Sequence, residues 1–323
     1  MKIEYKREYL ITGGTGSLGK AILNQLEGNK NIKGIRIYSR DELKQYNLKK
    51  QLEGKDMPPI AFIIGDVRDY RRLAEALKGV THVIHTAALK HVPIAEDNPL
   101  EYIKTNVYGT ENVMMACIAA NVKSAMFIST DKAVESINLY GASKMCAEKL
   151  WSRGSIYSGG WGTNFAVVRY GNVIGSRGSI LDMIKLLDKG KKIPITDPEM
   201  TRFWIPLPKV AKFVLDCLDS CMPGYTYIPK MISCSLEVFI KATTGTDESN
   251  WKIVGRRPGE KAHEMLINQE EIFRTNEKED KYIIAPQGIS LWITSLKDCL
   301  YSDDRNPLYT DNIEVIKGLL NGD

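Results

Sequence analysis

A glycine-rich segment near the start, Thr12-Gly13-Gly14-Thr15-Gly16-Ser17-Leu18-Gly19, constrains this chain more than any other feature. It follows the apolar triplet Tyr9-Leu10-Ile11 directly and opens an amphipathic stretch that runs to Leu26. Strand, glycine turn and helix in that order form a phosphate cradle. Gly13 permits the tight turn, Gly16 lets backbone approach a pyrophosphate, and Gly19 lets helix and strand pack closely. Thr15, Ser17 and Leu18 then bring the backbone N–H groups and positive dipole end of the helix to the phosphates.

The segments downstream agree with such a turn. Ile35–Tyr38, Ile60–Ile64, His82–His85, Ala125–Ile128 and Phe165–Arg169 are short apolar runs of strand length, and helical patterns such as Leu100–Ala119 lie between them. That alternation predicts right-handed βαβ units and an α/β fold with a Rossmann-type doubly wound parallel sheet. After Ile174 the pattern loosens and prolines crowd together, from Pro194 to Pro229. We therefore expect a nucleotide-binding domain over 1–175, carrying the reactive residues. A smaller C-terminal α/β substrate-binding lobe is expected over 176–323, with some segments returning to the core and a last helix near Leu320.

Composition narrows the function classes. A net charge of +5 over 323 residues suits an anionic small molecule and is too weak to suggest nucleic acid. Cys117, Cys146, Cys217, Cys221, Cys234 and Cys299 form no CxxC pair, so no metal site is expected; they read as buried thiols of a reducing compartment. The terminus Met1–Glu8 is charged and no apolar run reaches membrane-spanning length, so a cytoplasmic protein with no membrane contact is expected.

The second strand predicts which dinucleotide binds. An NAD site usually carries an acid about twenty residues past the glycines, against the ribose 2′-hydroxyl. Here Ser39 and Arg40 stand in its place, with Lys44 one turn on, and a hydroxyl with two cations suits the 2′-phosphate of NADP. Asp41 is the dissenting charge, able to turn back toward the ribose. Asp66-Val67 reads equally as an adenine contact or an acidic turn.

Tyr140 and Lys144 stand four apart, hence on one helical face. An ammonium there can hold the nicotinamide ribose and lower the phenol's pKa, so that the phenolate takes a hydroxyl proton as hydride leaves. Thr130, at the end of the fifth strand, can hydrogen-bond the reacting oxygen. Asp131-Lys132 add an acid and a base that a simple dehydrogenase does not need; the choice is between an exposed ion-paired turn and elimination chemistry. In the latter, a C4 ketone acidifies the C5 proton, a base removes it, and an acid protonates the departing C6 hydroxyl.

These residues lie within longer blocks: TGGTGSLGK, IYSRDELKQ, GDVRD, AALKHVPIAEDNP, KTNVYGT, ISTDKAV, LYGASK, RYGNVIGSRGS, ITDPEMTRFW and RRPGEKAHE. In this order, over residues 8–270, they resemble the extended short-chain dehydrogenase/reductases, and among them the inverting UDP-N-acetylglucosamine 4,6-dehydratases. The resemblance implies that Asp131 acts on the C6 oxygen, Lys132 on the C5 proton and Tyr140 at C4, with Lys144 on the cofactor ribose. Reprotonation of C5 on the opposite face would invert that centre. Ala87, Thr105 and Val173 join the implied cofactor contacts. Lys90, Asn172, Thr196, Arg202, Arg257 and Glu260 are the implied contacts to UDP-N-acetylglucosamine, although Arg202 and Arg257 also read as surface ion pairs. A homo-oligomer is implied as well.

Many membrane-bound relatives carry methionine in place of Tyr140, which places this chain with the soluble inverting subgroup; Glu135–Ile137 and the glycine-rich 154–162 are less familiar. His85, inside an apolar strand, reads as a core histidine. The competing readings are a UDP-sugar 4-epimerase, which has no use for Asp131-Lys132, a retaining dehydratase, and a non-catalytic NADP-sensing scaffold, in which Tyr140 and Lys144 would be idle.

Overall fold

The structure is a computed structural model that describes residues 6–159, 162–178, 180–181, 184, 191–289 and 301–322. Cys299, Gly160 and the first five residues of the charged terminus lie outside the described residues. Six parallel strands form the centre: β1 Arg7–Thr12, β2 Ile32–Ser39, β3 Ile60–Ile64, β4 His82–His85, β5 Ser124–Thr130 and β6 Asn164–Tyr170. They lie in the order β3-β2-β1-β4-β5-β6. The order therefore reverses between β1 and β4, the crevice where doubly wound sheets bind ligands.

Every residue of β4 and β5 is buried, as parallel strands covered on both faces require. One face packs the helices Ser17–Leu26 and Leu207–Asp219 through Ile22, Leu23, Val210 and Val214. The other packs Gly109–Ala119 and Leu139–Ser152 through Val113, Cys117, Ala147 and Trp151. His85 is enclosed in this core between the hydroxyls of Thr12 (2.6 Å) and Thr110 (3.0 Å). Burial drives its pKa down to about 3, so it is a neutral packing residue.

The remaining strands are β7 Asn172–Ile174, β8 Ile193–Ile195, β9 Thr201–Pro206, β10 Thr226–Pro229, β11 Ile232–Ser235, β12 Trp251–Ile253, β13 Met265–Ile267, β14 Thr275–Glu277, β15 Lys281–Ile284 and β16 Tyr301–Ser302. Strand β10 extends the sheet in parallel beside β6, and β15 and β14 add antiparallel beyond it. The others build small sheets; β13 packs its Leu266 and Ile267 into the main core, and a separate core lies where Trp204 stacks on Phe239 and the last helix, Ile313–Asn321, supplies Ile316 and Leu319.

Two expectations change. The helix over Leu100–Ala119 is interrupted: Ile103–Tyr108 is a π-helical segment, a widened turn frequent at functional sites. Nor are all the cysteines buried. Among the described residues five thiols are free, but Cys146 faces solvent on the outer side of the helix Leu139–Ser152 and Cys221 is half-buried. No helix among the described residues is long and apolar enough to cross a membrane.

Candidate active site

The carboxyl ends of the central strands open into one cavity of about 1030 Å³. Its floor at one end is the glycine turn. Gly13 adopts φ 66°, a left-handed conformation open to glycine. Gly16 caps the helix Ser17–Leu26 with no side-chain hydrogen bond, so the first N–H groups of that helix keep no side-chain acceptor at the cap. Gly13, Thr15, Gly16, Ser17 and Leu18 all line the cavity. Gly19 does not; a Cβ there would meet Gly14 at 2.4 Å, so it seats the helix on the turn rather than on the strand.

The rim beside β2 carries Ser39, Arg40, Asp41 and Lys44. Asp41 caps the helix Glu42–Leu52 by accepting from Lys44 N at 2.9 Å, and its carboxylate also pairs with the Lys44 ammonium at 2.7 Å. Its charge is thus committed to the helix start. Asp66 is turned from the cavity into ion pairs with Arg68 (2.8 Å) and Arg40 (3.5 Å), and its neighbour Val67 lines the wall. An acidic turn is what this aspartate makes. Ala87, Thr105 and Val173 complete this end.

Whether these residues fit a dinucleotide is tested by two observations. The Thr105 hydroxyl, carried on the π-helical turn, is buried with no hydrogen-bond partner among the described residues, a state that protein interiors avoid unless a ligand or water supplies the partner. The uncapped helix start faces the same space. Cradle and orphan donor both suit a pyrophosphate-linked nucleotide.

Reactive side chains gather at the other end. The hydroxyl of Thr130, the last residue of β5, donates to Asp131 Oδ1 at 2.8 Å and caps the 3-10 turn Asp131–Ala133. Asp131 is fully buried, behind the cavity wall formed by Thr130 and Lys132. Lys132 Nζ donates to Asp131 Oδ1 at 3.0 Å and to Asn172 Oδ1 at 3.4 Å, and stands 3.5 Å from Glu264 Oε1. Burial opposes a charge on Lys132, yet Asp131 and Glu264 outweigh it and hold the ammonium above its ordinary pKa.

Tyr140 and Lys144 share one face of the helix Leu139–Ser152, whose start is capped by Asn138 Oδ1 accepting from Gly141 N at 2.8 Å. Burial pushes the Tyr140 phenol up to about 12, opposed by the charge of Lys132 and by a hydrogen bond with Thr130. The cation that favours the phenolate is therefore Lys132, where the spacing alone pointed to Lys144. Lys144 donates to Ile128 O at 2.6 Å and lies 3.8 Å over the Phe127 ring. Burial lowers it to about 7. Aimed at the strand end, it is placed to contact a nucleotide rather than to charge the phenol.

The lobe closes the cavity with Thr196, Arg202, Arg257 and Glu260, opposite Lys90 and Asn172 of the sheet side. Arg202 is buried, not a surface ion pair; its guanidinium donates to Thr201 O, Ala262 O and Lys261 O and stands 3.8 Å from Glu260. Asn138 Nδ2 reaches Gly259 O at 2.8 Å, tying this segment to the helix that carries Tyr140.

Two residues that spacing did not single out also stand here. Arg177 donates from its guanidinium to Thr15 O (2.8 Å) and from its backbone to Ser17 Oγ (3.0 Å), strapping the glycine turn. Glu264 is buried against Lys132. Glu264 ends the block RRPGEKAHE and Arg177 sits in RYGNVIGSRGS, so the blocks held them without ranking them.

Residues 9–286 match the polysaccharide biosynthesis protein family. Among curated proteins, the chain is 42% identical to the UDP-N-acetylglucosamine 4,6-dehydratase (inverting) of Campylobacter jejuni subsp. jejuni serotype O:2, over 97% of both chains. It is 41% identical to the UDP-glucose 4-epimerase of Rickettsia rickettsii, over 87% of this chain and 84% of that one. Among solved structures, Pen from Bacillus thuringiensis superposes with a TM-score of 0.88 at 32% identity, covering 98% of this chain and 99% of that one.

Proposed function

The chain belongs to the polysaccharide biosynthesis protein family, and on that premise we propose that it is an NADP-dependent UDP-N-acetylglucosamine 4,6-dehydratase that inverts C5. One observation carries the reading: Lys132 lines the cavity end beside Tyr140 and is in contact at 3.0 Å with Asp131, buried directly behind it. A 4-epimerase moves a hydride and a hydroxyl proton and leaves such a pair idle. Sequence identity to the dehydratase and to the epimerase is nearly equal, and it is this pair that separates the two activities.

The cofactor would be held by the turn Gly13–Leu18, by Ser39, Arg40 and Lys44 at a 2′-phosphate, and by Val67, Ala87, Thr105, Lys144 and Val173 along its length. When bound, NADP supplies the hydride chemistry, accepting hydride from sugar C4 and returning it to C6. Residues 1–175 would thus serve the nucleotide and the reaction, and the lobe from 176 onward the UDP-sugar, through Thr196, Arg202, Arg257 and Glu260 together with Lys90 and Asn172.

Within this reading each proton has a place. Tyr140, as the phenolate that the Lys132 charge favours, takes the C4 hydroxyl proton, with Thr130 steadying the oxygen. The Asp131–Lys132 pair rests as carboxylate and ammonium; passing one proton across the 3.0 Å contact leaves a neutral amine and a carboxylic acid. The amine then takes the C5 proton, the C5–H electrons form the C5=C6 bond, the C6–O bond breaks, and Asp131 gives its proton to the departing oxygen as water. The pair ends as carboxylate and ammonium again; as hydride returns to C6, a solvent-derived proton would reach C5 on the opposite face, and the proton that Tyr140 took from the C4 hydroxyl would be released to solvent in exchange.

The test is product analysis. Incubation with UDP-N-acetylglucosamine in D₂O should give a 4-keto-6-deoxy sugar with deuterium at C5 and the L-arabino configuration by NMR. UDP-N-acetylgalactosamine alone would establish an epimerase instead, and retained configuration at C5 a retaining dehydratase.

A further inference from the structure

Lys132 is gripped from two sides. Asp131, its neighbour in sequence, holds it from β5; Glu264, at the entrance to β13, holds it from the lobe at 3.5 Å. Glu264 is 3% exposed, and its backbone carbonyl accepts from Asp303 N at 3.0 Å, which pins it to the segment 303–306.

A carboxylate kept only for structure should have both oxygens in hydrogen bonds, because a buried charge without them costs several kcal/mol. Glu264 departs from that pattern. Its Oε2 has no hydrogen-bond partner among the described residues and its nearest cation, Lys261, stands 3.9 Å away, while the side chain lines the cavity. Among the described residues its nearest charged partner is Lys132, at 3.5 Å.

We propose that Glu264 is a positioning residue for Lys132: it anchors the ammonium from the lobe and keeps in place the proton that Lys132 shares with Asp131. The proposal rests on the dehydratase reading for its consequence in turnover, though not for the pairing itself. Lys132 faces Asp131, Glu264, Arg202 and Tyr140. Glu264 faces Lys132, Asp131, Arg202 and Lys261. Asp303 acts on the same cluster through Arg202 and Asp131. Of the two carboxylates that favour charge on Lys132, Asp131 exchanges a proton during the elimination, and Glu264 takes no part in that transfer.

Removing the Glu264 charge should therefore ease deprotonation of Lys132 by about one to three pH units, the usual effect of one close opposite charge. Two measurements read this. Labelling of Lys132 by acetic anhydride, followed by peptide mass spectrometry on the substrate-free protein, reports the free amine directly. Wild type should resist labelling near pH 10.4, the ordinary lysine value, whereas Glu264→Gln should react there. In turnover, the alkaline limb of product formation should move toward acid by the same interval in Glu264→Gln. Glu264→Asp, shorter but still charged, should restore the limb with a lower kcat.

A labelling pH dependence unchanged in Glu264→Gln overturns the proposal. So does failure of both variants to fold, which would make Glu264 a structural charge. If labelling shifts as expected while the wild type makes no dehydrated sugar, the dehydratase reading falls and the pairing stands.

Discussion

Lys132 Nζ and Asp131 Oδ1 lie 3.0 Å apart between neighbouring residues, one side chain lining the cavity and the other fully buried behind it. Backbone geometry makes this possible. The strand ends at Thr130, whose hydroxyl donates to Asp131 Oδ1 and accepts from the Lys132 backbone N–H as the 3-10 turn Asp131–Ala133 begins. If the pair performs the elimination, Lys132→Ala should lower product formation by about 10² to 10⁴-fold, the range for loss of a general base. NADP affinity, measured by fluorescence titration, should stay within about twofold, since none of the nucleotide contacts is removed. Full turnover by this variant would take Lys132 out of the mechanism.

Arg40 is half-exposed at the cavity rim, 3.5 Å from Asp66. It is available to a 2′-phosphate and has little to offer a 2′-hydroxyl. Arg40→Ala should raise the Kd for NADP more than about tenfold, as loss of a charged hydrogen bond of about 1.5–3 kcal/mol requires. NAD should bind nearly as before. Equal losses for both, read by the same titration, would remove the 2′-phosphate assignment.

Gly141, between Tyr140 and Lys144, has a steric role that no motif reading reveals. A Cβ at this position would lie 2.0 Å from Lys132 O and 2.5 Å from Ser136 Oγ. Gly141→Ala should therefore push the 131–133 turn off the helix and separate Lys132 from Tyr140. A loss of product formation of at least about tenfold is expected, together with about 1–3 kcal/mol of stability for the overpacking, measured by denaturant unfolding. Unchanged activity would mean that the two elements tolerate separation.

Asp303 offers a test by pH. Burial raises its pKa to about 7, although Thr201 Oγ1 donates to it at 2.6 Å. An acid raised in the fold binds its proton more tightly folded than unfolded, so it costs stability as pH climbs from about 4 to about 7, and the full cost persists above that. Asp303→Asn keeps an acceptor for Thr201 and abolishes the charge. Its melting temperature should exceed wild type at pH 8, by the equivalent of about 1–3 kcal/mol, and match it near pH 4. A gain of the same size at both values would show that charge is not the cause.

Local pattern in the sequence was enough for the scaffold. A strand followed by a glycine turn, apolar runs at regular intervals and a tyrosine one helical turn before a lysine are short-range features, and each predicts its own element. Ile60–Ile64 and His82–His85 are strands over the very residues whose apolar run marked them. Asp131 and Lys132 were conspicuous for the same reason, as charges at the end of a buried strand.

What only the tertiary structure decided depends on atoms brought together from far along the chain. Lys144 points at Ile128 O and Phe127, so the phenol of Tyr140 answers to Lys132 instead. Asp66 is claimed by Arg68 and Arg40, and Arg202 is buried among the carbonyls of the lobe. Glu264, an ordinary glutamate in its own segment, becomes the second anchor of Lys132 because the lobe folds back over β5. Burial and Coulomb forces act through space, and no period along the sequence records which distant charge will be the neighbour.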